Sequence, residues 1–421
     1  MPEGCYQPED LDKLVPDINL NNTTPLPEVS IEEEDIASII YTSGTTGFSK
    51  GVVLTHKNLV WDARQCRTIQ PVDETYRFLS ILPMAHTYEN TLGLLLPLMF
   101  GAQVYYLDRV PTPKLLVPAM QKIRPTVVLS VPLIIEKIYK SQVLPKFTSS
   151  KLMSKLYQFA PARKLFNRLA GKKLMETFGG ELKFFGIGGS KLDGTVEQFL
   201  REAKFPYAIG YGLTETAPMA AGSNPSQTFL QGVGPVMEGV QIKINDPDKS
   251  GQGEIWIKGP NVMKGYYKRP ELTAETFTED GWFKTGDLGS FDKKNRLAIR
   301  GRIKTMILGA SGENIYPEEI ESIINNFRFV NESLVVENSG KLVAMVHFNM
   351  EELEKQYQRL KDQAGNYKEK INDYIEEQKQ ELRDYVNARV NNFSKLQLVL
   401  VQHEPFEKTP THKIKRFLYC K

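Results

Sequence analysis

Residues 41 to 52 read Tyr-Thr-Ser-Gly-Thr-Thr-Gly-Phe-Ser-Lys-Gly-Val, a run of hydroxyls and glycines with a single lysine. Gly44, Gly47 and Gly51 let a backbone turn its N–H groups toward an anion, Thr42, Ser43, Thr45 and Thr46 add hydroxyl donors, and Lys50 brings a charge. Together they suit a polyphosphate. The Walker loop needs glycine immediately before its lysine and Ser or Thr after it, whereas Ser49 and Gly51 flank Lys50 here. The competing reading is an ordinary flexible Gly/Ser loop. A strand-like run, Ile36 to Tyr41, leads into the loop, and a helix-like run is expected to follow it.

Other residues could complete such chemistry. Glu215, in Tyr211-Gly-Leu-Thr-Glu-Thr216, is a hard oxygen ligand of the kind Mg2+ prefers. Tyr211 has an aromatic face for a nucleobase, although a lone tyrosine is more often a half-buried core residue. Asp287 closes a Thr-Gly-Asp phrase after Trp282-Phe283; a carboxylate accepts both hydroxyls of a ribose, and Arg302 can reinforce that grip. Either charge alone would read as solvated surface. Lys408 to Arg416 is rich in cations, as a solvated tail or an anion-binding patch would be. His86, in Leu82-Pro-Met-Ala-His-Thr-Tyr-Glu89, would by itself be a satisfied structural histidine.

The elements that must position these groups are legible in outline. A chain of 421 residues exceeds what one core usually organises, so two or three domains are expected. Residues 1 to 34 lack a sustained period and read as a linker. Short apolar runs at Phe78–Leu82, Gln103–Leu107, Thr126–Ser130 and Leu182–Ile187 alternate with helical patterns, which argues an α/β sheet. Leu92 to Ala102 is too short to span a membrane and reads as a buried helix. From about residue 232 the texture turns to glycines and short strands, Val240–Ile244, Gly253–Ile257 and Arg296–Ile299. Past Lys304 a small α+β unit follows: a helix from Pro317, strands at Ser333–Glu337 and Lys341–His347, then amphipathic helices with a break at Gly365. These helices are expected to cover the small unit; a coiled coil has too few clean heptads.

A net charge of +3 with no polybasic run disfavours nucleic acid as a partner. Cys5, Cys66 and Cys420 have no metal-ligand spacing and fit a reducing, cytoplasmic setting without structural zinc; peripheral membrane association is compatible with it. The first residues carry no secretory signal pattern.

Taken in order, Tyr41–Val52, Gly188-Gly-Ser190, Tyr211–Thr216, Trp282–Asp287, Gly301-Arg302, Gly309–Glu321 and Thr409–Arg416 resemble the adenylate-forming (AMP-binding) superfamily, in its long-chain fatty acyl-CoA synthetase branch. The resemblance covers residue 35 to the C-terminus. It departs at Ser49, where many members have proline, and at His412, where glycine often precedes the lysine. It implies an α/β fold: a large multi-subdomain adenylation domain over 35–303, incomplete at its N-terminus because fewer residues precede the loop than in full-length members, and a small mobile α+β domain over 304–421. It implies fatty acid, ATP, Mg2+ and coenzyme A as reactants and cofactors. By resemblance, Glu215 holds the metal, Thr214 binds the α-phosphate, and Gly189, Ser190, Tyr211 and Gly212 form the nucleobase slot. Lys413 is the adenylation lysine, Lys304 the hinge and His86 the guard of the acyl site. The resemblance also implies that Gly309 to Asn314 swings in to line the pantetheine channel. Alternatives are acyl transfer to a carrier-protein phosphopantetheine, or a nucleotide-binding fragment without turnover.

Overall fold

The computed structural model describes residues 29–43, 49–109, 111–148, 150–309, 313–360, 367–408 and 414–419. The loop glycines and threonines 44–47, Lys413 and Gly365 lie outside them.

Strand β1 (Ile36–Ser43) pairs antiparallel with β2 (Ser49–Thr55), placing Thr42 opposite Lys50 and Ser43 opposite Ser49. The expected strand, loop and helix order is therefore corrected: a hairpin carries the loop. Val52 to Thr55 are all buried, a continuous rather than helically spaced apolar run, and the β-branched valines favour the strand. Helix α1 (His56–Ile69) starts only after Thr55, whose hydroxyl accepts the Asn58 N–H while the Asn58 side chain accepts that of Thr55.

A six-stranded sheet follows, built from β3 (Arg77–Ser80), β4 (Gln103–Tyr106), β5 (Val127–Ser130), β6 (Phe184–Ile187), β7 (Tyr207–Gly212) and β8 (Met219–Gly222), in the order β4-β3-β5-β6-β7-β8. All its neighbours are parallel except β7 and β8. Successive residues serve opposite faces: Phe78, Val127 and Leu129 join the core around α1, whereas Leu79 and Val128 join a second core. On the first face lies α2, which begins at Thr87–Glu89, passes through a π-helical stretch Asn90–Leu95 and ends at Leu96–Met99. Leu92 and Leu96 are buried as expected, but Leu98 and Met99 are exposed. The second face is covered by α3 (Pro113–Ile123), α4 (Pro132–Ile138), α5 (Lys151–Gln158), α6 (Ala160–Thr177) and α7 (Gly194–Glu202).

An antiparallel sheet then brings β9 (Gln241–Asn245), β10 (Gly253–Lys258), β12 (Phe283–Phe291) and β13 (Leu297–Arg302) together, while the two-residue β11 (Gly265–Tyr266) returns to pair with β2. The small α+β part has a ribbon of β14 (Ile307–Leu308) and β15 (Asn314–Ile315), helix α8 (Pro317–Ile324), β16 (Val330–Asn338) paired with β17 (Lys341–Phe348), helices α9 (Met350–Leu360) and α10 (Tyr367–Asn387), and β18 (Leu398–Val401) parallel to β17. Leu353, Tyr357, Tyr374, Leu382 and Val386 of α9 and α10 enter its core, so these helices are amphipathic covers.

Glu89 of α2 is buried under the end of β3, where it accepts the Ser80 hydroxyl, and its Oε2 has no partner among the described residues. Burial pushes its carboxyl from an ordinary 4.5 up to about 7. The unfolded chain thus releases this proton first, and the fold loses stability as pH rises from about 4.5 to about 7. Glu89→Gln removes that loss. Relative to the unsubstituted protein it should gain roughly 2–3 kcal/mol between about pH 5 and about pH 8 in urea melts. A difference constant with pH would show that Glu89 stays ionised in the fold.

Candidate active site

Strand β7 ends in Gly212, and Thr214–Thr216 form a single 3-10 turn that leads to β8. A Cβ on Gly212 would lie 1.7 Å from the Pro218 carbonyl oxygen, so only glycine lets the turn fold back this tightly. The Asn261 amide, fully buried, donates to the carbonyls of Thr216 at 3.1 Å and Met219 at 2.6 Å. The Met263 N–H binds the Glu215 carbonyl at 2.9 Å. Both ends of the turn are thus held by one segment, residues 261–263.

Glu215 is half-buried, and its Oε1 accepts the Tyr266 hydroxyl at 2.9 Å. Tyr266 reaches it because β11 pairs with β2 opposite Val52, which also brings the Lys50 ammonium to 5.0 Å from the Tyr266 ring centroid. The Lys50 ammonium is held below its ordinary value, first by burial and then by the nearby Lys304 cation, while Glu215 and Glu275 pull it back. Lys304, Glu215 and Glu275 therefore all lie within electrostatic reach of Lys50. A bound anion there would relieve the repulsion between Lys50 and Lys304.

Asp287 and Arg302 are direct partners in the β12–β13 register. The Arg302 Nε lies 2.8 Å from Asp287 Oδ1, and the Tyr211 hydroxyl donates to Oδ2 at 2.9 Å. Asp287 is buried, and its carboxylate holds the Arg302 guanidinium above its usual range. Thr285 completes the frame by donating to the Ile255 carbonyl at 2.7 Å and accepting the Asp287 N–H at 3.0 Å. Tyr211 itself is buried in the core around α1; burial, then the Asp287 charge, pushes its phenol far up. Its visible contact is a structural brace for Asp287.

Gly189 takes φ +87°, a left-handed conformation suited to glycine, and the Gly188 N–H binds the Ser130 carbonyl at 3.2 Å. Tyr88 packs against this strand end, its ring 3.4 Å from where a Gly188 Cβ would stand. Lys191, next to Ser190, pairs with Glu319 of α8 at 2.8 Å, and the Tyr316 hydroxyl donates to Gln252 at 3.1 Å, joining the small part to the large one. His86 is the N-cap of α2. Lys408 bridges to Ile414, and Arg416 makes bonds of 2.7 and 2.9 Å to Glu321, which anchors both ends of the segment containing Lys413. A cavity of about 540 Å³ lies elsewhere, between the turn after β9 and the small part, lined by Gln252, Arg300, Asn314, Tyr316 and Phe393 among others.

The structure thus gathers Lys50, Tyr211, Glu215, Asp287, Arg302 and Lys304, and adds three residues that sequence reasoning missed: Tyr266, Asn261 and Thr285. Gly265-Tyr-Tyr267 stands out as an aromatic pair after glycine, but nothing in the sequence shows which phenol meets which carboxylate. Among the described residues no three His, Cys, Asp or Glu cluster as a metal cage. A single carboxylate such as Glu215 nonetheless fits Mg2+, which keeps its waters and draws further oxygens from phosphates.

An α/β fold of this kind, with the Glu215 turn held beside the β1–β2 hairpin and an Asp287–Arg302 pair, sets the chain among the AMP-binding enzymes. The chain belongs to the AMP-binding enzyme family, whose model matches residues 3–267. It is 30% identical to the peroxisomal long chain acyl-CoA synthetase 6 of Arabidopsis thaliana over 95% of this chain and 61% of that protein. It is 32% identical to long-chain-fatty-acid–CoA ligase 1 of Saccharomyces cerevisiae over 73% of this chain and 47% of the other. The chain spans roughly half to three fifths of the length of these curated relatives. Among solved structures, an ATP-bound RpMatB-BxBclM chimera superposes with a TM-score of 0.72 at 25% identity, covering 94% of this chain and 70% of that one. The o-succinylbenzoate CoA synthetase of Bacillus subtilis in complex with its acyl-adenylate intermediate gives 0.70 at 23%, covering 92% and 70%. Among the described residues no helix is long and apolar enough to cross a membrane.

Proposed function

We propose that the protein activates a long-chain fatty acid with ATP, giving acyl-adenylate and pyrophosphate, and then passes the acyl group to the thiol of coenzyme A with release of AMP. The observation that carries this reading is the convergence of Lys50, Lys304 and Glu215 beside the Asp287–Arg302 pair, which suits a polyphosphate next to a ribose. Similarity to long-chain acyl-CoA synthetases over most of the chain supports the choice of acid.

In this reading Lys50 and the loop residues Thr42 to Gly47 hold the β- and γ-phosphates, and Thr214 meets the α-phosphate. Asp287 and Arg302 hold the ribose, while Gly189, Ser190, Tyr211 and Gly212 bound the nucleobase. Glu215 would hold Mg2+, which when bound offsets phosphate charge. Lys413 neutralises the carboxylate and α-phosphate oxygens during adenylation. Lys304 marks the boundary between a large domain ending at 303 and a small one that turns about it, so that Gly309 to Asn314 lines the thiol channel in the second step. His86 sits at the mouth of the acyl site.

The test is acid-dependent pyrophosphate exchange by this chain across a fatty-acid panel, followed by free coenzyme A or holo-carrier protein. Exchange should favour acids of about twelve carbons or more, by ~0.8 kcal/mol for each further methylene buried. Preference for acetate or an aromatic acid would overturn the long-chain reading. A second acceptor is included because a chloroplastic long-chain-fatty-acid–[acyl-carrier-protein] ligase of Arabidopsis thaliana is 29% identical over 94% of this chain and 61% of that protein. Faster transfer to holo-carrier protein than to coenzyme A would assign that acceptor instead. ATP binding without exchange on any acid would leave a nucleotide-binding protein.

A further inference from the structure

Helices α5 and α6 lie on the face of the six-stranded sheet opposite α1 and α2, and the candidate site uses no residue of either. Their orientation is fixed from beneath. Arg163 pairs with Glu202 at 2.9 Å, and the buried Asn167 donates to the same carboxylate at 2.7 Å and accepts the Tyr157 hydroxyl at 2.8 Å. Gly171 sits so close to α7 that a Cβ would come within 2.6 Å of the Ala203 carbonyl. Residues 163, 167 and 171 recur every four positions and form the inward stripe of α6.

The outward stripe is unusual in composition. Leu165 and Leu169 are 57% and 58% exposed, and on the adjoining α5 and its connection Leu152, Leu156 and Phe159 are 70%, 39% and 64% exposed. Large apolar side chains this open, on two consecutive helices, make a patch rather than scattered exceptions. Interleaved with them are the exposed cations Lys155, Lys164, Arg168, Lys172 and Lys173. From Lys151 to Met175 the sequence holds seven Lys and Arg and not one Asp or Glu. The Glu202 carboxylate is already taken by Arg163, and none of the five exposed cations forms an ion pair among the described residues.

We propose that this α5–α6 surface docks the protein onto an anionic phospholipid bilayer. Leucines and a phenylalanine on the outward crest enter the headgroup boundary, while lysine and arginine stems lie along the apolar surface and reach lipid phosphates. Charge complementarity selects this occupant. A second copy seated on the same patch by two-fold symmetry would set these cations against one another, and the buried centre of a protein interface is depleted in lysine. The proposal stands apart from the adenylation reading, since none of its residues belongs to that site.

The experiment is sedimentation of the whole chain with vesicles of phosphatidylcholine alone and with about 30% phosphatidylglycerol, at low and high salt. Binding should require phosphatidylglycerol and weaken as salt rises. The triple variant Lys164→Gln/Arg168→Gln/Lys172→Gln should bind roughly 100-fold more weakly, since each basic residue near such a surface is worth about fivefold. Leu165→Ser/Leu169→Ser should also lose binding, through the apolar contribution; both sets lie on the exposed face, and coincident thermal melts would show that the fold is kept. Failure of the unsubstituted chain to sediment with anionic vesicles overturns the proposal, as does equal binding by the variants. If the leucine variant instead dissociates an oligomer while vesicle binding is unchanged, the patch joins copies of the chain and the membrane reading is wrong.

Discussion

Glu215→Ala is expected to remove acid-dependent pyrophosphate exchange almost completely, by a factor of roughly 100 to 1,000. Stabilising charge that develops on a phosphoryl group is worth about 3 kcal/mol or more per well-placed group, and the turn offers no second carboxylate. Alanine keeps the backbone carbonyl that receives the Met263 N–H, and the side chain it replaces is only half-buried, so the turn should survive. Tyr266→Phe supplies the graded comparison. It leaves the carboxylate in place but removes the 2.9 Å hydrogen bond that aims it, so a loss of about tenfold is expected, read mainly in the rate rather than in acid affinity. Exchange at a near-normal rate in Glu215→Ala, with the same dependence on Mg2+, would remove Glu215 from the site.

The contrast between Glu215 and Tyr266 shows why the sequence disclosed some of this site and hid the rest. Glu215 lies in a compact phrase whose glycine, hydroxyls and carboxylate are contiguous, and such a phrase declares its chemistry locally. Tyr266 is fifty-one residues further on and arrives only through a two-residue strand pairing with β2, a contact of long sequence separation with no periodic signature. The hairpin error has a similar origin. Lys50 to Thr55 carries no polar alternation because Val52 to Thr55 are all buried, and a short continuous apolar run does not distinguish strand from helix. Asp287 and Arg302 were named in the sequence only as a shared grip on a ribose; β12, the strand that sets Asp287 opposite Arg302, was not among the expected strands. Strands β3, β4, β5 and β6 of the main sheet were legible as short apolar runs, whereas β7 and β8 were not among the expected strands. Burial on both faces made β3, β5 and β6 nearly continuous apolar runs, and the ends of the four strands shifted by one or two residues.

Asp287→Ala should lower both stability and nucleotide affinity, and the two losses have separate causes. In the free protein the buried carboxylate accepts from Arg302 Nε at 2.8 Å and from the Tyr211 hydroxyl at 2.9 Å. Truncation leaves the buried phenol without its acceptor and the guanidinium without its counter-charge. Arg302 is partly open to water, which softens its share, so the expected loss of stability is about 2–4 kcal/mol in urea melts. Hydrogen bonds from a ribose diol to a charged acceptor are worth about 1.5–3 kcal/mol each, so ATP affinity by calorimetry should fall by at least about 30-fold. Asp287→Asn separates the effects: its amide oxygen can still accept from Tyr211, which restores much of the stability, but it offers Arg302 no charge and binds a diol less well. The expected order for nucleotide affinity is therefore aspartate, asparagine, alanine, with the largest step at the loss of charge. A variant that loses stability while binding ATP as tightly as the unsubstituted protein would make Asp287 a structural brace between β7 and β13 and move the ribose elsewhere.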